Sequence, residues 1–199
     1  DFFMGIWNLP IQESLASGVT WFELFNEINL KEEGKGIIWK DADEFCDLAL
    51  KVIDLIRTKY PKAKLVSPGL SPQPDTMDWW SVFTARGLFK AVDAVGVHSY
   101  WNNRAGMDSP EQGRHYRKLI PLIPMDKPMF ITEASNNSAV DSDDEKGKQY
   151  RDYWNSLEPI VARCDIFVLA ASSSIFNASH ETWVRDSGIS RIPYAVGGK

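Results

Sequence analysis

Two textures alternate along the chain. Short runs that are apolar nearly throughout, rich in β-branched and aromatic residues, are separated by longer runs in which apolar residues recur every three or four positions. The short runs are VTWFELF (19–25), AKLVSPG (63–69), VDAVGVHSY (92–100), PMFITEA (128–134) and DIFVLAAS (165–172). Each is flanked by turn residues, and none alternates apolar and polar positions. Continuous apolar runs of this length predict strands buried on both faces, as in a parallel sheet covered by helices.

The longer runs predict helices. Over 41–61, Phe45, Leu48, Ala49, Val52, Ile53 and Ile56 form one apolar stripe. Asp41 and Glu44 have the spacing of a capping box, and Pro61 marks the stop. Residues 76–91 predict a second helix. A third starts at Ser109-Pro110, a cap followed by a first-turn proline, and runs to about Ile120. A fourth lies within 141–164, with Ser142 and Glu145 as cap pair and an acidic first turn that complements the helix dipole. Strict alternation of strand and helix implies parallel strands joined by right-handed crossovers. The two architectures of that kind are an open doubly wound sheet and a (β/α) barrel. No glycine-rich phosphate loop follows any strand, so the nucleotide-binding version lacks its signature. With no internal repeat or linker, residues 1–199 read as a single domain.

Composition narrows the partners. Of 199 residues, 44% are apolar and 25% charged, the net charge is -5, and no basic block is present. Nucleic acid and anionic membrane surfaces are therefore not expected partners. The longest apolar runs are too short to span a bilayer, and DFFMGIWNLP lacks the pattern of a secretory signal. Cys46 and Cys164 both fall in helical patterns and read as buried free thiols, which leaves the redox compartment open.

Candidate chemistry collects at the C-terminal ends of the strands: Asn26-Glu27, then His98-Ser99-Tyr100-Trp101, then Thr132-Glu133-Ala134-Ser135, then Ser172, Ser173 and Ser174. In a parallel barrel these ends share one face, where active sites form. Either glutamate alone is an ordinary solvated acid. Two carboxylates facing each other suit glycoside hydrolysis, and a retaining pair lies about 5–5.5 Å apart. Asn26 is placed to hold a sugar 2-hydroxyl, His98 and Tyr100 to orient the nucleophile, and Trp101 or Trp183 to stack on a sugar face. The remaining histidines, His115 on a polar helix face and His180 in a loop, form no ligand cluster with His98, so neither metal nor cofactor is expected. The serine run lacks the glycine elbow of a nucleophile. Trp79-Trp80 reads equally as core or sugar platform. Asn136-Asn137-Ser138 and Asn177-Ala178-Ser179 match the glycosylation sequon.

These residues also carry a family resemblance. FELFNEINL, VDAVGVHSY and MFITEAS resemble strands four, six and seven of the clan-A retaining glycoside hydrolases, and ETWVRDSGISRIPYAV (181–196) resembles the ending of several such families. The resemblance implies Glu27 as acid/base, Asn26 as 2-hydroxyl partner, Glu133 as nucleophile, and His98 and Tyr100 lining the site. It covers strands four to eight only, with residues 1–18 resembling the helix before strand four. The implied fold is α/β: the C-terminal portion of a (β/α)8 TIM barrel, about five βα units, lacking the first three strands and the strand-two arginine. Exposed strand edges would then call for a missing N-terminal barrel segment or self-association. The tryptophan that often closes strand eight is replaced here by Ala171-Ser172-Ser173-Ser174, with Trp183 further on. The expected activity is hydrolysis of a β-linked glycoside with retention, in a compartment that the sequence leaves open and that a secreted, polysaccharide-active enzyme would suit. The alternatives are a carbohydrate-binding or structural barrel without catalysis, and an open α/β sheet that binds a small ligand.

Overall fold

The computed structural model describes residues 2–167, 181–185 and 188–197. In chain order the described helices and strands are α1 (Phe2–Ala16), β1 (Trp21–Glu23), α2 (Ala42–Lys59), β2 (Lys64–Val66), α3 (Thr76–Ala85), α4 (Leu88–Ala91), β3 (Val95–Trp101), α5 (Arg104–Met107), β4 (Met129–Asn136), α6 (Asp143–Asn155), β5 (Val161–Ile166), β6 (Val184–Arg185), β7 (Gly188–Ile189) and α7 (Ile192–Val196). The chain divides into two compact units, Asp1–Gly96 with Leu122–Pro128, and Val97–Pro121 with Met129–Lys199. No helix among the described residues is long and apolar enough to cross a membrane.

In the first unit β1 and β2 are parallel, with Phe22 opposite Leu65. A parallel bridge joins Val66 to Ala94. Gly96 fits there because a Cβ would lie 2.2 Å from the Ser67 carbonyl oxygen. The cap read from the sequence forms as expected: Asp41 accepts the Glu44 N–H at 3.1 Å. The apolar stripe of α2 buries Phe45, Ala49, Val52, Ile53 and Ile56. Phe45 meets Phe25, Trp39, Trp79 and Phe83 with ring centroids 5.1–6.4 Å apart. Trp79 and Trp80 are core residues, 4% and 1% exposed, so they offer no platform to a sugar. Truncating a core aromatic of this kind costs about 3–5 kcal/mol. The helix expected over 76–91 is broken at Gly87, whose φ of 77° lies in the left-handed region.

In the second unit the strand order is β3-β4-β5, with β4 and β5 parallel. Ser142 caps α6 through the Glu145 N–H at 3.2 Å, as its sequence predicts. The helix stops at Asn155 rather than continuing to 164. Pro159 explains this, because its ring and missing N–H oppose continuation and push the residue before it out of helical geometry. The freed segment becomes β5, so Cys164 stands on a strand and is only partly buried, whereas Cys46 is fully buried on α2. Burial pushes both thiols up to about 12. The later part of the expected fifth strand (168–172), the serine run and His180 lie outside the described residues.

The helix expected from Ser109 to about Ile120 is replaced by turns and two 3-10 segments, His115–Lys118 and Ile120–Leu122. Gly113 approaches the Met107 backbone so closely that a Cβ would sit 2.3 Å from its carbonyl oxygen. The Arg114 guanidinium, 2% exposed, then organises the segment. It donates to Asp108 at 3.1 Å and to Ser156 Oγ, and it lies 4.6 Å from the Tyr153 ring centroid. His115 is buried instead of facing solvent. Its Nδ1 lies 2.8 Å from the Gln112 carbonyl oxygen, which can only accept, so Nδ1 carries the proton of the neutral ring.

Burial holds the His115 pKa down at about 4, from an ordinary 6.5. The unfolded chain therefore binds the extra proton first as pH falls, and stability drops between pH 6.5 and about 4. The full effect of such a shift is about 3 kcal/mol. His115→Asn keeps a donor for Gln112 and removes the titration. Urea unfolding across this pH range should show a shallower pH slope for the variant than for the parent.

Candidate active site

In the first unit the chain leaves β1 through a strained turn. Leu24 N–H still donates to Val66 at 3.0 Å, and Glu27 N–H donates to the Gly69 carbonyl at 3.0 Å. Between and at these anchors, Phe25 and Glu27 adopt φ values of 66° and 37°, which side chains other than glycine avoid. Left-handed geometry costs roughly 1–2 kcal/mol per residue. It persists because buried Leu24 and Ile28 and the two backbone bonds leave the segment no relaxed alternative. Backbone strain of this sort clusters at functional sites. Asn26 is exposed, with its Nδ2 3.5 Å from Glu33 Oε1, and Glu27 is half-buried.

Asn29 supports this turn. Its side chain donates to the Ser71 carbonyl at 2.8 Å and accepts the Ser71 N–H at 3.1 Å, which ties the loop after β1 to the loop after β2. Glu23 accepts the Gly69 N–H at 2.6 Å, and Trp39 donates to the Ile28 carbonyl at 2.9 Å.

In the second unit β3 and β4 bring His98, Tyr100 and Glu133 together. The Tyr100 hydroxyl donates to Glu133 Oε2. His98 Nδ1 lies 3.6 Å from the same oxygen, with the imidazole fully buried and the Glu133 side chain 24% exposed. The His98 and Tyr100 rings stand edge to face, 6.2 Å apart. The β4–β5 register is irregular between Ile131 and Ala134, a bulge that brackets Glu133. Bulges beside active sites re-aim a side chain. Glu133 is thus partly exposed, with a hydroxyl bonded to one oxygen and a buried imidazole beside it.

Trp101 does not act as expected. It is 1% exposed, packed on Tyr150 and Tyr153, and its Nε1–H donates to Gln149 at 2.8 Å. The last position of β3 points inward, so this ring has no free face for a sugar. Trp183 is partly exposed and stacked on Tyr150, with centroids 6.3 Å apart and an interplanar angle of 20°. Asn136 is no glycan acceptor in the folded chain. It is fully buried, and its Nδ2 donates to Asp141 at 2.8 Å and Gln149 at 2.9 Å. Asn177 lies outside the described residues.

A profile of the glycosyl hydrolase catalytic core matches residues 4–171. The chain belongs to the glycosyl hydrolase catalytic core family. No curated protein matches the sequence. Solved structures resembling this glycosyl hydrolase core include a GH128 (subgroup III) curdlan-specific exo-β-1,3-glucanase from Blastomyces gilchristii, at 16% identity and a TM-score of 0.70, covering 96% of this chain and 75% of that one. A GH128 (subgroup II) endo-β-1,3-glucanase from Sorangium cellulosum matches at 23% identity and a TM-score of 0.69, over 89% and 69% of the two chains. A GH128 (subgroup VI) exo-β-1,3-glucanase from Aureobasidium namibiae matches at 18% identity and 0.64, over 88% and 66%. At such identities the likeness is one of fold. The chain spans 66% to 75% of the length of these relatives.

Sequence reasoning missed the residues that hold the core's candidate site in place. Asn29, Ser135 and Glu181 fall inside FELFNEINL, MFITEAS and ETWVRDSGISRIPYAV without any role assigned to them there, Tyr150 lies in none of these stretches, and their partners lie 14 to 46 positions away. Replacing Asn29 with Ala should leave the Ser71 N–H unpartnered, while the Ser71 carbonyl keeps Thr76 and the Gln73 N–H, and lower the unfolding free energy by about 1–3 kcal/mol. Denaturant melts of the parent, Asn29→Ala and Asn29→Asp, which keeps the acceptor, would check this.

Proposed function

We propose that the chain is a retaining glycoside hydrolase acting on β-1,3-glucan. Glu133 is the nucleophile, Glu27 the acid/base, and Asn26 the partner of the sugar 2-hydroxyl. The hydrogen bond from Tyr100 to Glu133, backed by buried His98, carries this reading. A carboxylate gripped through one oxygen by a hydroxyl is held in a fixed orientation for attack. Family membership and the β-1,3-glucanase relatives support the substrate. In this reading the chain supplies about five βα units of a (β/α)8 barrel, one domain over 1–199, with strand edges that would take a further barrel segment or a second copy. Trp183, backed by Tyr150, lines the substrate path.

The reaction runs in two displacements. Glu133 attacks the anomeric carbon, the glycosidic C–O bond breaks, and Glu27 gives its proton to the leaving oxygen. Glu27, now a carboxylate, takes a proton from water. That water attacks the anomeric carbon, and Glu133 leaves with the bonding pair. No metal or cofactor enters either step.

Laminarin hydrolysis followed by proton NMR should show the β-anomer first. Glu27→Gln should lower kcat by about 10²–10⁴-fold, the range of general acid–base catalysis. Glu133→Gln should abolish turnover. Azide should restore Glu133→Ala as an α-glycosyl azide and Glu27→Ala as a β-glycosyl azide, which tells the two roles apart. A laminari-oligosaccharide binding isotherm without turnover would instead favour a non-catalytic binding barrel.

A further inference from the structure

Beyond Glu133, the end of β4 is held by a chain of hydrogen bonds whose direction can be worked out. Ser135 Oγ lies 2.7 Å from Glu181 Oε2, and the carboxylate oxygen takes the serine proton. Ser135 Oγ is also 3.3 Å from the Tyr150 hydroxyl. With its own proton committed, Ser135 must accept there, so Tyr150 donates. The Tyr150 oxygen in turn accepts the Asn136 N–H at 3.2 Å. Donation therefore runs one way, from the Asn136 backbone through Tyr150 and Ser135 to Glu181. Bonds aligned in this manner reinforce one another, and a carboxylate is the strongest available terminus. Burial pushes the Tyr150 phenol up to about 12, so it keeps the proton that the relay needs. Ser135 and Asn136 are fully buried, Tyr150 is 1% exposed and Glu181 7% exposed.

The relay grips the strand just past the bulge. Ser135 is two positions beyond Glu133, and the register with β5 resumes at Ala134 opposite Ile166. On its β5 side the ladder is irregular through Glu133, so the aim of that side chain depends on the β3 side and on what holds the strand after it.

We propose that Glu181 is a positioning residue for Glu133, acting through Ser135 and Tyr150 on the end of β4. This rests on the reading of Glu133 as nucleophile. Glu181 touches no reacting atom in this scheme. It supplies the acceptor that orients the relay. Without it the serine proton loses its target, the chain of donors can reverse, and the Tyr100–Glu133 bond loosens as β4 relaxes.

The test compares Glu181→Leu, Glu181→Gln, Ser135→Ala and the Ser135→Ala/Glu181→Leu double variant in the full chain, with Glu133→Gln alongside. Glu181→Leu and Ser135→Ala should each lower kcat by about 10–100-fold, the scale of a sub-ångström to 1 Å misplacement. KM should stay within about twofold, because ground-state binding is not the target. Glu181→Gln keeps an acceptor oxygen and should recover most of kcat. The double variant should be no worse than the poorer single, since both cut one chain. Carbon-detected NMR titration of the Glu133 carboxyl supplies a readout without turnover. A weaker Tyr100 donor favours the protonated acid, so the midpoint should rise in Glu181→Leu, and the acidic limb of the rate profile should move to higher pH. A lowered melting temperature with parental kcat and an unmoved Glu133 midpoint would overturn the proposal and leave the relay as structural. Turnover in Glu133→Gln would overturn the nucleophile reading instead, while the carboxyl titration would still decide whether Glu181 positions that side chain.

Discussion

Where a buried strand runs out, its backbone groups need partners that are not another strand. That constraint shapes each unit by itself. After β1, the Glu27 N–H goes to Gly69 and the Ser71 peptide to the Asn29 side chain, and the bonds are good enough to hold Phe25 and Glu27 at positive φ. After the bulge in β4, Tyr150 takes the Asn136 N–H, while Asp141 and Gln149 take its amide. In each place a polar side chain does the work of a missing neighbour strand, and a glutamate is left standing in a fixed direction beside it.

The two solutions differ in kind. The turn after β1 is held by short loops of the same unit and by aromatic packing beneath it, with Trp39 bonded to the Ile28 carbonyl and edge to face with Phe45. The end of β4 is held by side chains from α6 and from the segment around Glu181. The first glutamate is therefore positioned by backbone strain, the second by a polar network. Strain fixes the direction of a backbone, and a network allows fine adjustment of how tightly one carboxylate oxygen is bound.

The sequence made the repeating elements legible and hid what interrupts them. Phe45 to Ile56 shows the apolar period of α2 openly, and the Asp41 and Ser142 caps are local signals that the structure honours. The apolar runs at β3 and β4, with His98, Tyr100 and Glu133 at their ends, were equally visible. The segment after Ser109 misled because its helix signals are local, whereas the contact that overrides them, Gly113 against Met107, is tertiary. Trp101 misled for a related reason: its position at a strand end suggests a rim, and only the packing of Tyr150 and Tyr153 around it reveals a core residue. Cys164 moved from helix to strand because Pro159 outweighs the apolar period that continues past it. Glu181 and Asn29 lie inside stretches that resemble the family, yet neither stretch reveals their role, since a single polar residue acquires meaning only from a partner far along the chain.

The bonds around Asn136 also bear on chemical ageing. An asparagine deamidates when the next backbone nitrogen attacks its side-chain carbonyl carbon, closing a five-membered imide. Here that nitrogen belongs to Asn137 and is committed to the Trp101 carbonyl at 2.7 Å, while the Asn136 amide is anchored on Asp141 and Gln149. Neither nucleophile nor electrophile is free to swing into line. An Asn-Asn pair that would be a weak point in a loop is, at the end of this strand, shielded from its own chemistry for as long as the strand stays folded.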